Sequence, residues 1–282
     1  RSTHQEMTGR VTVQDGAAIN YHATHVGGTI IASGVTASAK GMATAAKIDS
    51  YDWNSDFSEM LLAGAAASTE TNKALVSNHS YGYLSGWDYV AGGSPYRKWV
   101  WYGDGTTAAS IDESFGRYNS YARDCDSTAV SVPFMTIFWS AGNDRSDNPA
   151  DGDAVALSPA IGAPVVTYTN GVHPLGDGIY RGGYENIGYN NLAKNVVTIG
   201  AVNAAVSGGV RATNNATMST FSSWGPTDDG RIKPDLVADG VNLYSTYSTS
   251  DTAYGTMSGT SMASPNAAGT AVLVAQEYVR LY

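Results

Sequence analysis

The chain of 282 residues contains a single cysteine, Cys125. No internal disulfide can form, and a zinc site built on thiolates is excluded with it. Charge is scarce: Asp, Glu, Lys and Arg together make up 15%, below the usual quarter. The balance is acidic, 25 carboxylates against 16 basic residues, for a net charge of −9. A surface of that sign repels phosphate backbones and argues against nucleic-acid binding. No apolar run approaches the roughly eighteen residues of a membrane span. The best stretch, 61–67, suits a buried helix segment. The start shows neither a basic n-region nor an apolar h-region, so no signal peptide is expected within these residues. Arg1 in place of an initiator Met predicts a longer primary product. No Pro- or Ser-rich linker and no solenoid-period repeat is present. One domain over 1–282 is therefore expected, large enough to bury about three quarters of its unfolded surface.

Short apolar runs alternate with helical patterns. Strands are expected at 45–51, 74–79, 135–139, 196–202 and 235–238, apolar on both sides as in strands covered on both faces. Helices are expected at 58–73 and 261–280. A third helix face is read from Ile111, Phe115, Tyr118 and Ala122, spaced i, i+4, i+7 and i+11. Cys125 falls in that third pattern and reads as a packed helix position. The alternation predicts an α/β fold with three layers, helices on both faces of a mostly parallel central sheet. The segments 85–107 and 160–191 are rich in Gly and aromatics and read as loops. Their aromatics (Trp87, Tyr89, Tyr96, Trp99, Trp101, Tyr102) could line a peptide groove. Covering the edge of the core is the plainer reading.

Three segments could carry chemistry. His22-Ala23-Thr24-His25-Val26-Gly27-Gly28-Thr29 places two histidines at i, i+3 but lacks the Glu of a zincin helix. One His as general base is the alternative to a core role. Gly259-Thr260-Ser261-Met262-Ala263-Ser264-Pro265 sets a serine at the start of an Ala-rich helix, whose free N–H groups favour an oxyanion beside the hydroxyl. A helix cap is the bland reading. Ser140-Ala141-Gly142-Asn143 ends a strand with an amide that could donate to an oxyanion, or simply make a turn. All five histidines (His4, His22, His25, His79, His173) precede Ser261, and position 263 is Ala. An α/β-hydrolase needs its His after the nucleophile and a G-x-S-x-G motif, so that class is excluded.

The order His, Asn, Ser resembles that of the subtilisin-like serine proteases, the subtilases. His22–Thr29 is similar to their H-G-T-H-V-A-G-T segment, Gly259–Pro265 matches G-T-S-M-A-x-P, and Ser140–Asn143 resembles their strand-ending A-G-N. Phe221-Ser222-Ser223-Trp224-Gly225-Pro226, Lys233-Pro234-Asp235, the run 195–202 and Ser80-Tyr81-Gly82 add matches in the family's order over nearly the whole chain. The resemblance implies a secreted, extracellular serine endopeptidase working through an acyl-enzyme on protein or peptide substrates. It implies Ser261 as nucleophile, His22 as general base and His25 as structural. Asn143, with the Ser261 backbone N–H, would form the oxyanion hole. Ser80, Tyr81 and Gly82 on one side, and Ser140, Ala141 and Gly142 on the other, would wall the specificity pocket and pair with substrate as an added strand. Small walls suit an apolar substrate side chain. No cofactor is required by this chemistry. Structural calcium is open, with Asp144, Asp147, Asp151 and Asp153 as an acidic loop able to supply oxygens, although a solvated loop is the plainer reading.

The sequence departs from the family at its start. The triad needs a carboxylate to orient the His, and in subtilases an Asp ends the first core strand well ahead of it. Asp15, seven residues before His22, is too close and in the wrong setting. The expectation is a subtilisin-like domain trimmed at the N-terminus and also at the C-terminus. Its first strand and catalytic Asp would lie before Arg1, lost or carried on a separate N-terminal fragment. The missing central strand predicts two neighbouring strands without ladder partners. An inactive fragment or a non-catalytic peptide-binding module is the competing expectation.

Overall fold

The computed structural model describes residues 1–64, 73–90 and 99–282. In chain order the elements are β1 (Val11–Val13), α1 (Tyr21–Ile31), β2 (Ile48–Ser50), α2 (Asp56–Gly64), β3 (Val76–His79), β4 (Trp87–Tyr89) and β5 (Trp99–Trp101). Then come α3 (Ser120–Ser131), β6 (Thr136–Ser140), β7 (Ala154–Ala156), β8 (Val165–Thr167) and β9 (Val197–Val202). The chain ends with the hairpin β10 (Val206–Ser207) and β11 (Val210–Arg211), then β12 (Leu236–Asp239), β13 (Leu243–Thr246), β14 (Tyr254–Met257) and α4 (Thr260–Leu281).

Four strands form a parallel sheet in the order β12-β9-β6-β3. Side chains of β6 alternate between its faces, as the pleat requires. Ile137 and Trp139 join Cys125, Val132, Met135 and Met60 on the side of α2 and α3. Phe138 joins Ile199, Ala201, Ala263 and Ala268 on the side of α4. This is the three-layer arrangement expected from the sequence. The strands begin and end within a residue or two of the expected positions, except that 45–51 shortens to three residues. Cys125 is fully buried in α3. β1 and β2 pair in parallel as a separate ribbon. Among the described residues, β2 pairs with β1 alone and β3 with β6 alone, so each has one open edge.

The helix starts follow from their caps. Asn20 accepts the backbone N–H groups of His22 and Ala23 at 2.7 and 3.2 Å and opens α1. Asn119 accepts that of Ala122 at 3.1 Å and opens α3. This corrects the helix face read across Ile111–Ala122: Ile111, Phe115 and Tyr118 precede the cap. Asp112 holds a turn there instead, accepting from Ser114 N–H at 2.8 Å and from Gly86 N–H at 2.7 Å.

The two expected loops are also corrected. They contribute β4, β5 and β8, which with β7 make a second, mixed sheet in the order β4-β5-β7-β8. Trp87, Trp101, Val155 and Tyr168 are its core. Trp87 is wholly buried, its indole N–H shared between the Pro174 and Leu175 carbonyls. These aromatics pack rather than line a groove, while Tyr89 is exposed. Tyr96 and residues 65–72 of the expected helix 58–73 lie outside the described residues. Among the described residues, no helix is long and apolar enough to cross a membrane.

Candidate active site

Ser261 is the second residue of α4, placed just after the turn that starts the helix. Gly259 precedes the first turn at φ 154°, a conformation that favours glycine. Pro265 lies four residues after Ser261 and has no N–H, so the Ser261 carbonyl loses its helical partner. Ser80, immediately after β3, fills that vacancy. Its hydroxyl donates to the Ser261 carbonyl at 2.9 Å, and the Ser261 hydroxyl donates back to the Ser80 carbonyl at 3.1 Å. The helix start is thereby bolted to the end of β3.

Asn143 follows β6. Its amide oxygen accepts the Thr260 backbone N–H at 2.9 Å and the Thr260 hydroxyl at 3.0 Å. With the oxygen occupied, the NH₂ end is left to face outward from the exposed side chain. The Gly142 N–H donates to the same Thr260 hydroxyl at 3.2 Å, so Thr260 ties both residues to the start of α4. Thr260 stands inside the recognised motif, yet sequence reasoning assigned it no role.

A cavity of about 190 Å³ opens beside these groups, lined by Gly82, Ser140, Gly142, Asn143, Thr260 and Ser261. Tyr81 contributes to the same lining. Ala141 does not: it is buried against Ile187 and Leu192, and its N–H donates to the Ile199 carbonyl at 2.9 Å. Ser80 acts through its bonds to Ser261.

His22 is the second residue of α1, which packs against α4. Burial lowers its pKa below the usual 6.5 and favours the neutral imidazole. Its ring makes no hydrogen bond to the described residues, and the Ser261 hydroxyl is turned to Ser80. His25, one turn on, is fully buried with Nε2 3.0 Å from the Leu243 carbonyl, the environment of a structural residue.

The acidic loop is not the solvated loop expected. Asp144 accepts the Ser223 hydroxyl at 2.9 Å, and Asp153 accepts the Trp99 indole N–H at 3.1 Å. Asp151 accepts the Asn170 N–H at 2.6 Å. Nor do the four converge on a cation. Among the described residues, the one group of three carboxylates whose oxygens lie within 4.8 Å of one another is Asp15, Asp52 and Glu59. Asp15 also accepts the Asp52 N–H.

A sequence model described as the subtilase family, Peptidase S8, matches residues 3–281. The chain belongs to the subtilase family. It is 35% identical over 105 residues to serine protease AprX of Bacillus subtilis (strain 168), covering 33% of this chain and 23% of that protein. It is 45% identical over 65 residues to the C5a peptidase of Streptococcus pyogenes, covering 23% of this chain and 5% of that protein. The matched stretches thus span less than a quarter of these relatives' own length. Among solved structures, Sphericase and S41 Psychrophilic Protease each superpose with a TM-score of 0.57, at 19% and 22% identity. Each alignment covers 98% of this chain and 74% of the other. These likenesses bear on the subtilisin-like fold.

Proposed function

We propose that this subtilase is a secreted serine endopeptidase acting through an acyl-enzyme. The observation that carries the reading is the joining of Asn143, Thr260, Ser261 and Ser80 around one cavity. In this reading the Ser261 hydroxyl leaves the Ser80 carbonyl when substrate binds and attacks the scissile carbonyl carbon. His22, held neutral by its burial, takes the hydroxyl proton and passes it to the departing amine. The Asn143 NH₂ and the Ser261 N–H stabilise the oxyanion. Water then attacks the ester, with His22 again as base. Substrate backbone pairs along Ser80–Gly82 and Ser140–Gly142. No cofactor enters this chemistry. A carboxylate beside the His22 ring would orient it, and a polypeptide segment carrying one could fill an open strand edge of β2 or β3.

A second reading, a peptide-binding module without turnover, is favoured by one observation: the His22 ring has no carboxylate partner among the described residues. Intact mass after incubation with a fluorophosphonate separates the two. A single adduct, lost in Ser261→Ala, is the expected result. A separate small peptide in the same denatured sample would identify the source of the carboxylate. Absence of an adduct at any pH between 6 and 9 would overturn the peptidase reading.

A further inference from the structure

The small walls of the cavity suit an apolar side chain, but its floor does not. Asp88, Asp144 and Asp147 all line the same space as Ser261. Asp177 is 3% exposed, accepts the Trp87 N–H at 2.8 Å and adds its repulsion to that of Asp144 and Asp147. Among the described residues, no basic side chain pairs with these carboxylates. Arg145, next in sequence, is stacked 3.6 Å over the Trp224 ring, with Nη1 donating to the Ser219 carbonyl at 3.3 Å. Among the described residues, the carboxylates of Asp88 and Asp147 have no hydrogen-bond or ion-pair partner. Burial raises Asp144 to about 6, and burial with repulsion from Asp144 and Asp88 raises Asp147 to about 8. Asn191 supplies an independent sign. It lines this cavity, is 6% exposed, and its Oδ1 is buried with no partner. A buried acceptor is rarely left unpaired unless something enters to satisfy it.

We infer that this cavity receives the side chain of a lysine or arginine on the acyl side of the cleaved bond, with Asp88, Asp144 and Asp147 as its counter-charges and Asn191 Oδ1 as a further acceptor. The occupant is a substrate side chain rather than a chelated metal, because no three of these carboxylates bring oxygens within 4.8 Å of one another. A diffuse negative field matches a guanidinium or ammonium at the end of a long stem better than it matches a compact divalent ion. Arrival of a cation draws the carboxyls into their ionised form and removes the repulsion among them. An apolar side chain would leave the carboxyls desolvated and Asn191 Oδ1 unpaired, which discriminates against it.

The inference rests on the peptidase reading for its orientation, so the test separates the two. Capture of Ser261 is timed with diphenyl phosphonates carrying a basic or a leucine side chain, with a simple fluorophosphonate as the neutral reference. Binding of peptides ending in Arg or Leu is measured in parallel on Ser261→Ala by fluorescence anisotropy. The basic member of each pair should win by at least tenfold. That ratio should fall to threefold or less in Asp88→Asn/Asp147→Asn, a variant first shown to melt cooperatively. Equal or faster capture of the leucine reagent, with Ser261 still labelled by the fluorophosphonate, overturns the inference and leaves the peptidase intact. If the fluorophosphonate fails, the peptidase reading falls, and the binding ratio on Ser261→Ala alone upholds or overturns the pocket. Millimolar calcium that erases the basic preference and raises the melting temperature only when Asp147 is present would overturn it in favour of a metal.

Discussion

The amide oxygen of Asn143 is held by two donors of Thr260, the backbone N–H at 2.9 Å and the side-chain hydroxyl at 3.0 Å, across 117 residues of chain. Thr260 thereby fixes which end of a nearly symmetrical amide is left free, the NH₂ end that the proposed mechanism assigns to the oxyanion. Thr260→Val keeps the N–H but removes the hydroxyl. A hydrogen bond of this kind contributes about 1 kcal/mol, so kcat/KM should fall roughly fivefold. Thr260→Ser should be close to wild type. Asn143→Leu should cost about 10²–10³-fold, the loss known for a single oxyanion donor in another subtilase. On that background Thr260→Val should have little further effect. Additive losses would show that Thr260 does not act through Asn143.

Ser80 and Pro265 form a second pair linked through Ser261. Ser80→Ala leaves the Ser261 carbonyl without its donor, because Pro265 offers no N–H. The variant should lose about 1 kcal/mol of stability by chemical denaturation and shift the resting position of Ser261. Ser80→Ala/Pro265→Ala restores an N–H four residues on, and should recover part of the loss. A double variant less stable than Ser80→Ala would show that Pro265 serves another purpose.

With His22 as the proposed base, its titration should set the acid limb of the pH profile. Burial lowers its pKa below 6.5, so the neutral base persists to a lower pH than for an exposed histidine. For these 282 residues without an added carboxylate partner, the rate of Ser261 capture by a fluorophosphonate, plotted against pH, should have its acid midpoint below 6.5. A midpoint above it would mean that an anion beside His22 outweighs the burial.

The motifs at His22, Asn143 and Ser261 were legible because the chemistry demands particular residue types next to a strand end or a helix start. The parallel sheet was legible because strands covered on both faces read as continuous apolar runs. The second sheet was not. Its strands are three residues long between glycines, and Trp87, Trp101 and Tyr168 supply core from positions that resemble loop. The acidic cavity was hidden for another reason. Asp88, Asp144, Asp147 and Asn191 are separated by up to about a hundred residues, and they come together only in the folded cavity. The sequence shows Asp144 and Asp147 as part of an acidic loop, and nothing local to them reveals that they face the nucleophile.

Glu6 ties the N-terminal segment to the rest of the fold and should make stability acid-sensitive. It is fully buried. Its carboxylate accepts the backbone N–H groups of Gly34, Val35 and Thr36 at 2.7, 3.0 and 2.8 Å, and the hydroxyls of Ser33 and Tyr254 at 3.0 and 2.7 Å. Burial alone would raise its pKa, but these donors outweigh it and hold it at about 2, against an ordinary 4.5. A folded-state value below the unfolded one stabilises the fold above pH 4.5, and that contribution disappears as pH falls from 4.5 to 2. The size of the shift corresponds to about 2–4 kcal/mol. Glu6→Gln cannot carry the charge and places an NH₂ against donors. It should melt several degrees lower than wild type at pH 7, and the gap should close as both are taken toward pH 2. A gap that stays constant across that range would show that the network depends on shape rather than on the carboxylate's charge.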